Sequence, residues 1–186
     1  AWGGHKMHDA GATIVKHFKD LAFMGFYEVL INLRTILNNI SYCKKDILDF
    51  NPDKIIFIDY PGFNLRIAKW ANKYKFNTIY YIAPQLWAWN EKRINEIKKF
   101  VNSMYVILPF EKEFFEKKHN YPVNFLGHPL IDSISNFQNK FQKDKQEIKL
   151  NNKPVIAILP GSRKQEIKKI LKTVIKVIND YPNYQF

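Results

Sequence analysis

Short apolar runs alternate with segments of helical periodicity along most of the chain, and this alternation constrains the fold more than any other feature. Runs such as residues 55–58 and 78–82 are rich in β-branched and aromatic side chains, which is typical of buried strands. Between such runs, apolar residues recur every three or four positions, as in an amphipathic helix. We therefore expect an α/β chain with a Rossmann-like, doubly wound parallel sheet.

The periodicity also gives the expected order of elements and domains. Residues 1–135 form the expected first domain, 136–153 a polar linker with room for a short helix, and 154–186 the start of a second α/β unit. The predicted strands are residues 14–15, 55–58, 78–82, 104–108, 123–126 and 155–159, with another beginning at 184–186. The predicted helices are residues 27–50, 65–74, 91–101, 111–118 and 167–178.

Composition excludes some classes of protein and leaves others open. A hydrophobic content of 46% is ample for a packed core, and no apolar run approaches the ~20 residues of a membrane-spanning helix. The net charge of +12 suits a polyanion, either nucleic acid or an anionic membrane surface. Because the lysines are scattered and no nucleic-acid motif is present, nucleic acid is not the expected partner. The single cysteine, Cys43, cannot form an internal disulfide, and we expect it to be a small buried or half-buried side chain.

Polar residues follow the first long predicted strand, where parallel sheets place their ligands. Asp59 ends the strand, and a carboxylate partly removed from water there is a candidate general base. Asp-Tyr-Pro-Gly is also good turn chemistry, so Asp59 has an alternative reading as a turn residue. Asn64 has two readings, as a hydrogen-bond partner of a sugar hydroxyl and as a helix cap.

The loop after the next strand carries Gln85, Trp87 and Trp89. Aromatic rings beside an amide suit a sugar face or an acyl chain, although they also serve as packing anchors. Arg93, next to Lys92, starts the following helix and is a candidate phosphate ligand.

His128 follows the strand at residues 123–126 in a Gly-His-Pro sequence. It has three readings: a base, a hydrogen-bond donor and a structural histidine. No set of His, Cys, Asp and Glu residues has metal-ligand spacing, so no metal is expected.

A Pro-Gly-Ser-Arg turn connects the strand and the helix predicted in the second unit. Such a turn presents free backbone N–H groups at the positive end of a helix, where anions bind. Gly161 allows close approach, Ser162 can donate a hydrogen bond and Arg163 can bind phosphate with two donors. The turn suits a pyrophosphate, and the alternative is an ordinary connection with a surface arginine.

The predicted helix at residues 27–50 has an unusually wide apolar surface. Some of it must face the core, and the excess predicts either a patch for a membrane surface or partner, or a fully buried helix. The expected patch consists of Tyr27, Val29, Leu30, Leu33, Ile36 and Leu37.

Read together, six segments resemble lipid-A-disaccharide synthase, a glycosyltransferase family of the two-domain GT-B type. The segments occur in the family's order and are residues 23–30, 58–64, 83–89, 108–111, 127–130 and 159–163. The resemblance covers the whole chain, and it favours membrane contact for the apolar patch.

The resemblance implies a substrate pair and roles for residues. A UDP-linked 2,3-diacylglucosamine would donate its sugar to 2,3-diacylglucosamine 1-phosphate, forming a β-1,6 disaccharide and releasing UDP. Asp59 would take the proton of the acceptor 6-hydroxyl, with inversion at the anomeric carbon. Residues 161–163 would hold the UDP pyrophosphate by fixed donors, with no cofactor or metal. The enzyme would work in the cytoplasm, peripherally on the inner face of the inner membrane.

The chain departs from the family pattern in two ways. Gly62 stands where some members carry an acidic residue, so no second carboxylate supports Asp59. The family's opening strand, its Gly/Ser-rich loop and most of its nucleotide-binding domain have no counterpart, so we expect a piece of a longer protein that is inactive and poorly stable alone.

Two alternative functions remain: a GT-B nucleotide-sugar transferase with a soluble acceptor, and a basic α/β module that binds nucleic acid. A nicotinamide-dependent dehydrogenase is disfavoured because no Gly-x-Gly-x-x-Gly follows a strand.

Overall fold

The computed structural model describes residues 1–21, 32–143, 152–162 and 164–186, without the side chains of residues 141–143 and 165. These residues form two compact units, Ala1–Ser133 and Ile134–Phe186. Each unit is described by itself, and the domain boundaries expected from sequence stay a prediction.

The first unit is built on a four-stranded parallel sheet with strand order β3-β4-β5-β6. Its register pairs Ile56 with Ile79 and Tyr81 with Tyr105. A separate pair of short parallel strands, β1 and β2, lies near the start of the chain. The strands are β1 (Trp2–Gly3), β2 (Lys16–His17), β3 (Lys54–Ile58), β4 (Asn77–Tyr81), β5 (Ser103–Val106) and β6 (Asn124–Phe125).

Helices connect these strands, so the described part of the chain has the expected α/β organisation with parallel sheets. The helices are α1 (His5–Asp9), α2 (Leu33–Phe50), α3 (Pro61–Lys73), α4 (Leu86–Trp89), α5 (Ile94–Phe100), α6 (Pro109–Glu113), α7 (Leu130–Lys143) and α8 (Lys164–Ile178). A 3₁₀ turn at Phe18–Asp20 follows β2, another at Glu91–Arg93 precedes α5, and a π-helical turn at Phe114–Lys118 follows α6. No helix among the described residues is long and apolar enough to cross a bilayer.

The core of the first unit lies between the sheet and α3, α5 and the π-helical turn. α3 packs against both α2 and α5, and Cys43 of α2 is buried as expected. Fully buried side chains include Ile67 and Ala68 of α3, Tyr80 of β4, Ile97 of α5, Met104 and Val106 of β5, and Phe115.

The predicted strands at residues 55–58, 78–82, 104–108 and 123–126 are confirmed to within a few residues. α3 begins at Pro61, four residues before the predicted start, because proline suits the first position of a helix. The weak strand predicted at residues 14–15 lies instead at Lys16–His17. The predicted helix at residues 27–50 is observed from Leu33, and residues 27–31 lie outside the described residues.

The predicted strand at residues 155–159 is wrong. Only Val155 forms a bridge, in parallel with Gln185, and Val155, Ile156 and Leu159 are exposed. A strand takes its hydrogen bonds from neighbouring strands, and the described part of the second unit supplies this segment with only the short pairing at Gln185. The predicted helix at residues 167–178 is confirmed as α8, and α7 extends to Lys143, within the predicted linker.

Candidate functional site

The turn between β3 and α3 has an unusual backbone. Asp59 and Tyr60 have φ values of 48° and 46°, in the left-handed region. Asp tolerates this region, but a bulky residue such as Tyr adopts it only when its surroundings hold it there. The Asp59 N–H donates to the Tyr81 carbonyl at 3.0 Å, and the Tyr60 ring stacks on Phe63 with centroids 5.9 Å apart. This turn fixes the direction in which the chain leaves the sheet at the candidate base.

The Asp59 carbonyl oxygen accepts two hydrogen bonds that hold the same turn. Asn64 donates from Nδ2 at 2.7 Å, and the Tyr80 hydroxyl donates at 2.7 Å. Asn64 also donates to the Ile58 carbonyl at 3.2 Å. The helix-cap reading of Asn64 is therefore wrong, because Asn64 lies inside α3 and donates its amide hydrogens to the end of the strand.

The sequence predicts a carboxylate at Asp59 that is partly removed from water. Among the described residues this prediction is wrong, because the Asp59 side chain is exposed. The charges around the turn affect the pKa of the nearby Tyr80 hydroxyl. Burial raises the pKa of Tyr80, the negative charge of Asp59 raises it further, and Asn64 and Arg93 oppose the rise. The charges of Asp59 and Arg93 therefore have opposite effects on the same buried hydroxyl.

Trp87 is held on its loop by contacts with the segment that follows β5. Its indole N–H lies 3.4 Å from Oε1 of Glu111, and its ring meets Phe110 edge-on at 5.0 Å. Glu111 is almost fully buried, and its Oε2 accepts from the N–H groups of Ile107 and Leu108 at 3.1 and 2.9 Å. A buried carboxylate with three donors is a rigid anchor, so Trp87 has a fixed position despite being 40% exposed.

Trp89 and Arg93 form the second half of this loop. The Arg93 guanidinium lies over the Trp89 ring at 5.0 Å, and Trp89 is 71% exposed. Gln85 is also exposed, whereas Leu86 is buried and ties the loop to the core. The packing-anchor reading therefore fits Trp87 in part, and it does not fit Trp89, whose ring faces solvent beside a cation.

His128 makes two contacts at the start of α7, and its role towards a substrate stays a prediction. Its Nδ1 accepts a 3.1 Å hydrogen bond from the N–H of Leu130, and its carbonyl accepts from Ile131 at 3.0 Å. Both contacts are made at the start of α7, after Gly127 with φ of 85°. Because the Nδ1 lone pair is occupied, Nε2 carries the proton of the neutral ring and can act only as a donor.

The turn expected to bind pyrophosphate lies in the second unit, directly before α8. Gly161 has φ of 98°, and a Cβ there would lie 2.8 Å from Oε2 of Glu166. Ser162 is exposed, and Arg163 lies outside the described residues. The glycine conformation and the helix start agree with the expectation, but the Glu166 carboxylate lies beside the turn and would have to move away from a bound pyrophosphate.

The apolar patch is described only in part, since Tyr27, Val29 and Leu30 lie outside the described residues. Leu33 and Leu37 are 47% and 51% exposed. Ile36 is partly buried and packs against the core. Of the three patch residues described in α2, only Leu33 and Leu37 are therefore exposed to solvent.

Tyr80 and Glu111 are the polar residues of the site that sequence reasoning missed. The run at residues 77–81 has tyrosine at both positions 80 and 81, and nothing local shows which one is buried. For Glu111, the signal was an acidic residue two positions after Pro109 at a helix start, where it can accept backbone N–H bonds. Among the described residues, no group of three or more His, Cys, Asp or Glu side chains is arranged to hold a metal ion.

Comparison with known proteins identifies the family. The family model described as lipid-A-disaccharide synthetase matches residues 2–184. A lipid-A-disaccharide synthase of Coxiella burnetii (strain Dugway 5J108-111) is 38% identical over 188 residues, which cover 99% of this chain and 50% of that protein.

Two further relatives show the same partial coverage. A lipid-A-disaccharide synthase of Trichlorobacter lovleyi is 38% identical over 94% of this chain and 45% of that protein. The lipid-A-disaccharide synthase 1 of Legionella pneumophila (strain Lens) is 38% identical over 99% of this chain and 49% of that protein. The chain spans about half the length of the curated relatives it matches. On this match, the chain belongs to the lipid-A-disaccharide synthetase family.

Proposed function

We propose that this chain carries the acceptor-side part of a glycosyltransferase that makes the β-1,6 disaccharide of lipid A. The donor is UDP-2,3-diacylglucosamine, the acceptor is 2,3-diacylglucosamine 1-phosphate, and UDP is released. Family membership supports the reaction class. The observation that carries the assignment to residues is the Asp59 turn, which holds an exposed carboxylate at the carboxyl end of β3 in a conformation fixed by Asn64 and Tyr80.

In the proposed step, Asp59 accepts the proton of the acceptor hydroxyl as that oxygen attacks the anomeric carbon of the donor. The bond from this carbon to the phosphate oxygen breaks, and its electron pair leaves with UDP. Attack from the opposite side inverts the anomeric centre. Gln85, Trp87 and Trp89 are proposed to contact the sugars, with Trp89 and Arg93 forming an exposed ring and cation next to each other.

The leaving pyrophosphate is proposed to bind at residues 161–163. Backbone N–H groups at the start of α8 and the positive φ of Gly161 support this assignment. Movement of Glu166 away from the turn would be part of binding, since its carboxylate and a pyrophosphate are both negative and repel each other. No cofactor is required in this proposal.

The protein is proposed to work in the cytoplasm at the inner membrane, where acylated substrates reside. The exposed Leu33 and Leu37 and the net charge of +12 support contact with an anionic membrane face. The burial of Ile36 against the core favours, on the other hand, a transferase of the same fold with a soluble acceptor. Nucleic acid is not proposed as a partner.

The proposal is tested by following UDP release by the full-length protein expressed from its gene. Asp59→Asn keeps the size of the side chain and removes the base, so we expect UDP release to fall by about 10²–10⁴-fold. Asp53→Asn is the matched control, because Asp53 is an exposed aspartate just before β3. Equal rates for Asp59→Asn and wild type would move the base elsewhere.

The acceptor class is tested in the same assay. Acylated and deacylated acceptors are compared at equal concentration, with and without vesicles that contain anionic lipid. A preference for the acylated acceptor supports the lipid reading. Turnover only with the deacylated acceptor would support the soluble alternative.

A further inference from the structure

A groove of about 280 Å³ lies in the first unit, between α3 and the segment that starts α5. Arg66 and Lys69 of α3 line one side, and Arg93 and Glu96 line the other. Three cations thus face the groove against one carboxylate. Such an excess of positive charge in a concave surface favours an anionic ligand.

None of the ion pairs among the described residues involves Arg66, Lys69 or Arg93. The guanidinium of Arg93 is in contact with the Trp89 ring, a contact that leaves the N–H edge of an arginine able to bind an anion. Arg66 and Lys69 are exposed. The groove therefore has three cations, none of which forms an ion pair with a carboxylate within the described part of the chain.

The groove starts at the candidate catalytic turn. Pro61 and Gly62, which line the groove, follow directly after Asp59 and Tyr60. Gly62, Arg66 and Lys69 are spaced four and three residues apart, so they lie on one face of α3. A Cβ at Gly62 would meet no atom within 4 Å, so the backbone at the start of α3 is open to a ligand.

We propose that this groove binds a phosphate monoester and that, if the function proposed above holds, the ligand is the 1-phosphate of the acceptor sugar. A phosphate monoester carries close to two negative charges at pH 7 and accepts hydrogen bonds at three oxygens. Arg66, Lys69 and Arg93 supply charged donors for those oxygens. The acceptor would then lie with its phosphate in the groove and its sugar towards Asp59, so that the groove selects phosphorylated acceptors.

The first test measures direct binding and does not depend on turnover. Glucosamine 1-phosphate is titrated by calorimetry into the full-length protein expressed from its gene. Glucosamine, which lacks the phosphate, is the comparison ligand. We expect binding of the monoester, and Arg66→Gln with Lys69→Gln should weaken it by about tenfold or more. Glu96→Gln should tighten the binding, because it removes the one negative charge of the groove. Lys73→Gln is the matched control on α3 and should leave the affinity unchanged.

Two outcomes would overturn the groove proposal. One is equal affinity of wild type and the double variant for glucosamine 1-phosphate. The other is binding of vesicles containing phosphatidylglycerol that depends on Arg66 and Lys69 without any binding of the soluble monoester, which would make the groove a lipid headgroup site.

The second test separates this proposal from the proposed function. UDP release is measured with the acceptor and with the same acceptor lacking its phosphate, and the double variant should raise KM only for the phosphorylated acceptor. Monoester binding without any UDP release would keep the groove and reject the transferase. UDP release with an unchanged preference for the phosphate in the double variant would keep the transferase and reject the groove.

Discussion

The buried hydroxyl of Tyr80 donates a 2.7 Å hydrogen bond to the carbonyl oxygen of Asp59, which links the last residues of β4 to the left-handed turn after β3. Asn64 donates to the same oxygen from the first turns of α3. The position of the candidate base therefore depends on three consecutive elements, β3, α3 and β4.

Tyr80→Phe removes the hydroxyl and keeps the ring. We expect a loss of about 0.5–1.5 kcal/mol in the free energy of unfolding, since Asn64 still satisfies the carbonyl. Urea denaturation measures this loss, and Tyr81→Phe on the next residue is the control. A change of the same size in both variants would show that the bond to Asp59 has no special role.

Glu111→Leu should be among the most destabilising substitutions of a polar residue in the first unit. It leaves the N–H groups of Ile107 and Leu108 and the indole N–H of Trp87 without their acceptor. We expect a loss of about 1–3 kcal/mol or more in the free energy of unfolding. The comparison is Glu113→Leu in the same helix, where the exposed pair with Lys117 contributes little. Similar midpoints in urea for the two variants would contradict the anchor role.

Gly161→Ala and Gly62→Ala form a matched pair of glycine substitutions. Gly161 has a positive φ and a close Glu166 side chain, so alanine should cost about 1–2 kcal/mol there and weaken UDP binding. Gly62 lies in α3 with open space around it, and alanine should leave stability unchanged or raise it by about 0.5–1 kcal/mol. Thermal unfolding of both variants gives the sign of each change in stability. A Gly161→Ala variant more stable than wild type would contradict the described turn.

Cys43 should react slowly in the native protein. Burial raises the pKa of the Cys43 thiol to about 12, with a smaller contribution from Asp46. Thiolate is the reactive form, so iodoacetamide at pH 8 should label the folded chain far more slowly than the chain in urea. Mass spectrometry gives the labelled fraction without ambiguity because the chain has one cysteine. Labelling of the folded chain at the rate of a free thiol would show that the α2–α3 contact opens readily.

Glu91 should make stability depend on pH in the acid range. A hydrogen bond from Lys118, with smaller contributions from its charge and from His119, holds the pKa of Glu91 below its usual value of 4.5. The group therefore contributes stability above that value and loses the contribution as the pH falls through its lowered pKa. Urea midpoints of wild type and Glu91→Gln should differ slightly at pH 7 and converge in acid, because the pair is exposed and screened. A constant difference down to the lowest pH would contradict this.

The strands of the first unit could be predicted because short β-branched runs and helical spacing are local properties. The backbone conformation of the Asp59–Tyr60 turn could not be predicted in this way, because Tyr80 and Asn64, which lie in other elements, hold it. The exposure of Asp59 was also missed, because position at a strand end does not determine what covers a side chain. The strand predicted at residues 155–159 failed for a related reason: an apolar run becomes a strand only where a neighbour pairs with it.

The order β3-β4-β5-β6 follows the order of the sequence, and the candidate acceptor residues from Asp59 to Arg93 all lie between the end of β3 and the start of α5. In the proposed function, the base, the aromatic loop and the three cations of the groove are thus encoded in one uninterrupted stretch of the gene. A single recombination event could exchange that stretch between family members, replacing the base, the aromatic loop and the basic groove as a set while leaving β5 and β6 untouched.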